Sequence, residues 1–290
     1  MTETTLSAQR EGYPAPDAIA QARAQMAAAA AGGMWATDPP AVEQWPGGVR
    51  TLRFAPPGAA RARVVQFHGG GFRMGMPEYC GPFAAALAAR CGVEVLAVHY
   101  RLAPEHPFPA GLADGLAVLR ALAAAEGPPL VLLGDSAGGG LAASLALLAH
   151  GEGIALAGLV LLSPWLDLTV TAPSYAQNAA SDPLFSREAA RTAADLYLQG
   201  HDPRDPLASP LFGPPAAFPP TLVSVGMGEV LRDDALSLHR RLEEAGMEAT
   251  LSEIAGMDHV AAVRGADLPG SGETFAAVCA FVGSVAAAAD

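Results

Sequence analysis

The chain contains no lysine; all 17 of its basic residues are arginine. Without an ε-amino group there is no Schiff-base chemistry, no Ser–Lys dyad and no Walker-type phosphate loop. Cysteine is nearly as scarce: Cys80, Cys91 and Cys279, with no C-x-x-C and no paired spacing. This odd, sparse set predicts a reducing compartment and no disulfide framework. Cys91 and Cys279 lie in apolar helical segments and read as buried packing residues. No His/Cys/Asp cluster has metal-ligand spacing, so neither a metal nor a cofactor is expected. Residues 1–16 are polar and lack the apolar stretch of a signal peptide. An uncharged apolar run of 18 residues is also missing, which argues against a membrane span. The apolar tail positions Phe275, Val278, Phe281, Val282 and Val285 share one helix face and read as core packing. With 29 acidic residues and a net charge of -12, nucleic acid and anionic membrane surfaces are unsuitable partners. The expectation is a cytoplasmic protein; a homodimer stays open.

What the chain has is apolar residues, 51% of 290, enough for one large α/β core. Strand-like runs at 51–54, 64–67, 94–98, 130–133, 159–162, 222–225 and 249–254 are separated mostly by helical patterns at 80–91, 110–125, 138–149, 233–245 and 274–288. Such alternation predicts a mostly parallel central sheet with helices on both faces. Between residues 162 and 221 it stops. That interval holds a helical stretch at 186–198 and a proline-rich run, as expected of a lid or binding insertion. A further helix is predicted at 17–31, ended by Gly32-Gly33. The predicted organisation is 1–45 as the N-terminal part of a cap, 46–168 as core, 169–212 as the cap insertion and 213–290 as core.

Two glycine-rich motifs carry the chemistry. Gly134-Asp135-Ser136-Ala137-Gly138 follows an apolar run and precedes a helix-length apolar segment, the strand–turn–helix setting of a nucleophile elbow. The glycines flank Ser136 because a Cβ at either position would clash in so tight a turn. His68-Gly69-Gly70-Gly71-Phe72 follows another predicted strand; His followed by three Gly is expected roughly 0.01 times by chance. Three glycines let backbone N–H groups converge, and acyl transfer needs such donors for the developing oxyanion.

A serine hydroxyl needs a base, and the base needs an orienting acid. Of the histidines after Ser136, His239 falls mid-helix, His150 ends the elbow helix and His201 lies in the insertion. His259 follows the last strand, at the edge of the sheet where the base of such an elbow belongs. In the loop after the strand at 221–225, Glu229 comes first and is the candidate acid. Asp233 is its rival, with helix N-capping as its alternative role.

These motifs, with Tyr100-Arg-Leu-Ala-Pro-Glu-His-Pro-Phe-Pro109 and Ser163-Pro-Trp-Leu-Asp-Leu-Thr169, resemble the bacterial hormone-sensitive-lipase-like esterases of the α/β-hydrolase superfamily. The resemblance implies an α/β-hydrolase fold with a helical cap, hydrolysis of small-molecule esters and no cofactor. It implies oxyanion donors at the N–H groups of Gly70, Gly71 and Ala137, and a supporting loop at residues 100–109. Two departures stand out. Glu229-Val-Leu-Arg-Asp233 replaces the family's usual Asp-Pro-Leu-Arg-Asp, and Val260-Ala261 follows the histidine where Gly-Phe is usual. Both resemble the branch of monoterpene ε-lactone hydrolases, which implies a cyclic ester substrate.

The predicted activity is therefore a serine carboxylesterase with a triad of Ser136, Glu229 and His259. Lactone or amide hydrolysis would use the same residues. A silent ligand-binding receptor on this fold, as in plant gibberellin receptors, lacks the histidine that His259 supplies here. Candidate pocket residues are Met34, Trp35, Phe72, Leu184, Phe185, Tyr197 and Val260. Bulky groups closing over the site predict a preference for short or compact acyl chains.

Overall fold

The computed structural model describes residues 12–288. In chain order these form α1 (Asp17–Ala31), β1 (Val42–Gln44), β2 (Thr51–Phe54), β3 (Arg63–Phe67), α2 (Gly81–Cys91), β4 (Glu94–Val98), α3 (Ala110–Ala123) and β5 (Leu130–Asp135). There follow α4 (Ala137–Glu152), β6 (Gly158–Leu162), α5 (Ser174–Gln177), α6 (Arg187–Leu198), β7 (Thr221–Gly226), α7 (Arg232–Glu244), β8 (Ala249–Ile254), α8 (Ala261–Arg264) and α9 (Ser271–Ala288). The eight strands make one sheet in the order β1-β2-β4-β3-β5-β6-β7-β8. Pairing is antiparallel for β1–β2 and β2–β4 and parallel from β4 through to β8.

Side-chain alternation divides the core between the two faces of this sheet. On β5, Leu132 points to the face covered by α3, α4 and α7 and belongs to the same core cluster as Leu116, Leu145 and Leu238. Its neighbours Val131 and Leu133 point the other way, toward Leu87 of α2 and Val278 and Val282 of α9. The interior strands are apolar at almost every position because both faces are buried, as parallel strands require. By length and composition α9 could cross a membrane, with mean hydropathy 1.4 over 18 residues. Its apolar stripe is instead packed on the sheet through Val278, Val282 and Val285.

The cysteine expectation is corrected here. Cys91, at the end of α2, and Cys279, in α9, form a disulfide with Cα atoms 5.6 Å apart. Two helices packed side by side on one sheet face bring together residues 188 positions apart, a proximity that sequence spacing does not encode. Both are partly buried rather than enclosed, and only Cys80 is a buried free thiol. This bond removes the cysteine argument for a reducing compartment. The structure also adds the three-residue edge strand β1. Its Val-Glu-Gln sequence is too short to show a period.

The C-terminal ends of β3, β5, β7 and β8 open toward the same edge of the sheet. In open α/β sheets, that edge is where ligands bind.

Candidate active site

Ser136 stands between β5 and α4 with φ 53° and ψ −122°, a strained conformation for a residue with a side chain. The elbow closes so tightly that a Cβ on Gly134 would strike the carbonyl of Gly138, and one on Gly138 the carbonyls of Phe67 and His68. The clash expected from the sequence is therefore physical at both positions. The hydroxyl is presented to His259, whose Nε2 lies 2.9 Å from Ser136 Oγ. On the other side of the imidazole, Nδ1 lies 2.7 Å from Glu229 Oε2. Glu229 is itself fixed. Its Oε1 accepts hydrogen bonds from the Gly226 N–H at 2.6 Å and the Ser163 hydroxyl at 2.8 Å. Val260 N–H in turn donates to Ser163 Oγ at 3.2 Å, tying the histidine loop to the acid.

These contacts set the protonation of the imidazole. Burial alone would lower the pKa of His259. The bond to Glu229 and the negative charges of Glu229, Asp182 and Asp135 outweigh it, so the net shift is upward. Asp233 plays no part in this geometry. The helix begins one residue earlier, at Arg232, so Asp233 lies in its first turn and is not its N-cap. Its Oδ2 accepts the Ser174 N–H at 2.8 Å. Asp234 is buried beside it and receives the N–H groups of Leu166 and Asp167.

The loop after β3 passes over Ser136. A Cβ on Gly69 would lie 3.1 Å from Ser136 Cβ, so no larger residue could bring the backbone this close. Gly70 and Gly71 hold φ values of 116° and 62°. Both glycines line the cavity above the serine. Ala137 N–H opens α4, where amides have no intrahelical acceptor. Gly70, Gly71 and Ser136 thus share one cavity, with Ala137 next to the serine at the helix start. The segment 100–109 supports this loop from behind: the Tyr100 hydroxyl donates to His68 O at 2.6 Å, and Ala103 N–H donates to Phe72 O at 2.9 Å. His68 is stacked on Tyr100 at 4.4 Å. Burial lowers its pKa to about 4, so it is a neutral packing group.

The cavity at Ser136 measures about 410 Å³ and is lined by Met26 of α1, the glycine loop, Leu184, Phe185 and Val260, among others. Phe185 lies nearly parallel to the His259 ring, 9° between planes and 5.8 Å between centroids. Four of the expected pocket residues are elsewhere. Phe72 and Tyr197 are buried and stacked on one another at 3.9 Å, joining α6 to the loop after β3 rather than facing substrate. Met34 is 69% exposed, and Trp35 packs edge-on against Tyr79 beside a separate cleft. Bulk and apolarity alone did not tell cavity wall from packing.

Sequence reading missed Met26, Tyr79 and Asp135 as wall residues. Asp135 Oδ2 accepts the Gly69 N–H at 2.9 Å, and burial pushes its carboxyl up to about 7. Its position next to Ser136 in the motif was the available signal. Among the described residues, no group of three or more His, Cys, Asp or Glu side chains is arranged to hold a metal.

A serine, an imidazole and a carboxylate in hydrogen-bonded series, beside a glycine-rich loop, define a serine acyl-transfer site on a doubly wound sheet. The comparisons agree with that class. Residues 64–263 match Abhydrolase_3, the alpha/beta hydrolase fold family. The chain is 40% identical over 200 residues to an acetyl-hydrolase of Streptomyces hygroscopicus, covering 68% of this chain and 67% of that one. It is 36% identical over 214 residues to an esterase of Acinetobacter venetianus, covering 72% and 71%. The crystal structure of an esterase from the bacterial hormone-sensitive lipase family superposes with TM-score 0.86 at 34% identity, covering 94% of this chain and 93% of that one. This chain belongs to the bacterial hormone-sensitive lipase family of α/β-hydrolases, and it is a carboxylesterase.

Proposed function

We propose that the chain hydrolyses short-chain or compact carboxylic esters through an acyl-enzyme on Ser136, with His259 as base and Glu229 as its orienting acid. The observation that carries this reading is the unbroken series Ser136 Oγ to His259 Nε2 to Glu229 Oε2, at 2.9 and 2.7 Å. His259 takes the serine proton as Oγ attacks the ester carbonyl. The oxyanion is held by the N–H groups of Gly70, Gly71 and Ala137. The alcohol leaves with the proton from His259, and water repeats the sequence on the acyl-enzyme. Glu229 keeps Nδ1 protonated and stabilises the imidazolium.

The short-acyl preference is supported by the bulky side chains at the cavity of about 410 Å³ and by the acetyl-hydrolase relative. The proposed cap joins residues 1–45, of which 1–11 lie outside the described residues, with 169–212, and Met26 from the first and Leu184 and Phe185 from the second line one cavity. A cytoplasmic location belongs to the same proposal. The Cys91–Cys279 disulfide argues against it, and the alkylation state of the protein taken from cells decides it.

The test is a series of p-nitrophenyl esters from acetate to palmitate. Rates should peak at or below about eight carbons, because a walled cavity limits volume while each buried methylene gains only about 0.8 kcal/mol. A maximum at palmitate would overturn the short-acyl reading. Glu229 and Val260 favour a second reading, lactone hydrolysis as in the ε-lactone branch. Compact lactones in the same series test it: turnover above that of acetate esters supports it, and none removes it.

A further inference from the structure

Behind the histidine loop lies a second cleft of about 210 Å³, between α2, α8, α9 and the turn after α1. Its walls are aromatic: Trp35, Tyr79, Phe83 and Phe275. Phe83 and Phe275 meet edge to face at 5.6 Å, as do Trp35 and Tyr79 at 5.4 Å. Two guanidiniums stand at it, Arg90 and Arg264. Arg90 lies over the Phe275 ring, 5.0 Å from its centroid. Arg264 Nη1 donates to the His259 carbonyl at 3.4 Å. Among the described residues, neither arginine is paired with a carboxylate. No acidic side chain lines the cleft, although the chain carries 29 acids against 17 arginines.

In such a chain, a pocket holding two cations and no acid is complementary to an anion. Its aromatic walls and size add a second requirement. A dry cavity of about 150 Å³ is enough to bind benzene in another protein, so the cleft has room for one small ring or a short alkyl chain. A guanidinium also prefers a planar two-oxygen anion, which it meets with two parallel hydrogen bonds. Tyr79 lines both this cleft and the catalytic cavity, so the two are neighbours with one shared wall.

We propose that this cleft is a binding site for a small apolar carboxylate, seated with its ring or chain against Phe83 and Phe275 and its carboxylate toward Arg90 and Arg264. The site is separate from the catalytic cavity and independent of the roles assigned to Ser136, His259 and Glu229. Its ligand belongs to the chemical class of the acid that ester hydrolysis releases.

The test is a ligand-observed NMR titration of the full chain with benzoate, and with benzamide as the uncharged isostere. Benzoate should bind saturably, with a dissociation constant of about 1 mM or tighter. Benzamide should bind about tenfold more weakly, the difference expected for a lost charge-assisted hydrogen bond. Gly272 lines the cleft, and a Cβ there meets no atom within 4 Å. The Cβ of Gly272→Leu is therefore unobstructed, and the added side chain at the cleft wall should abolish benzoate binding and leave p-nitrophenyl acetate turnover unchanged. Arg90→Gln, at an exposed position, should weaken binding about tenfold and serves if Gly272→Leu does not fold. Absence of saturable binding, equal affinity for benzamide, or benzoate affinity unchanged in both variants would overturn the proposal.

Discussion

Glu229→Gln exchanges one acceptor oxygen for a donor at a place where the surroundings leave only one orientation. The Oε1 position receives the Gly226 N–H and the Ser163 hydroxyl. The amide oxygen must stay there, because an NH2 group would face a donor at 2.6 Å. The NH2 group then takes the Oε2 position and donates to His259 Nδ1, 2.7 Å away. That fixes the opposite imidazole tautomer, with the proton on Nε2 facing Ser136. Such an imidazole cannot accept the serine proton, although every heavy atom stays in place. A wrong-tautomer substitution in a serine triad costs roughly 10⁴ in turnover, or about 5.5 kcal/mol of barrier. Kinetics on p-nitrophenyl acetate at pH 8, with a melting curve to confirm folding, should show this loss for Glu229→Gln. Asp233→Asn, altering a carboxylate that holds only Ser174 N–H, should stay within tenfold of wild type. Activity within tenfold of wild type for Glu229→Gln, or collapse of Asp233→Asn alone, would refute the reasoning.

The acidic limb of kcat/KM should lie above the ordinary histidine value of about 6.5, because only neutral His259 is a base and its pKa is raised; a limb below that value would contradict the influence of Glu229. The same raised pKa makes the pair stabilising below the unfolded value, and that contribution is lost as pH rises through the folded pKa. Breaking Cys91–Cys279 should lower the melting temperature, since closing a loop of this span contributes up to about 5 kcal/mol; an unchanged melting curve after reduction confirmed by thiol titration would contradict it. Asp135→Ala should lower kcat by roughly 10²–10³ by freeing the glycine loop at Gly69, a loss like that of an oxyanion donor. Asp135→Asn keeps an acceptor there and should stay within about tenfold of wild type, and equal losses in the two variants would remove Asp135 from loop positioning.

The parts of the molecule legible in the sequence are those where chemistry restricts residue type. The turn at Ser136 tolerates only glycine at 134 and 138, so the motif announces the elbow. The loop over it needs glycine at 69 and 70 for the same steric reason and at 71 for its positive φ of 62°. Strand and helix periods survive because each buried face repeats along the chain, as Leu132 and Val131 do on opposite sides of β5. Packing partners leave no such trace. Phe72 and Tyr197 are as large and apolar as any pocket wall, and only the fold reveals that they satisfy one another. Asp135 is marked only by its place beside Ser136, which does not reveal its bond to Gly69. Cys91 and Cys279 become neighbours through the packing of α2 against α9, a relation between distant helices that no local pattern records.

The most direct measurement is the intact mass of the protein after treatment with a fluorophosphonate, followed by peptide mapping. Wild type should gain one phosphonyl group, on Ser136, with activity lost in proportion, and Ser136→Ala should gain none and be inactive. Labelling at another residue, or labelling and hydrolysis that persist in Ser136→Ala, would contradict the acyl-enzyme mechanism at its first step.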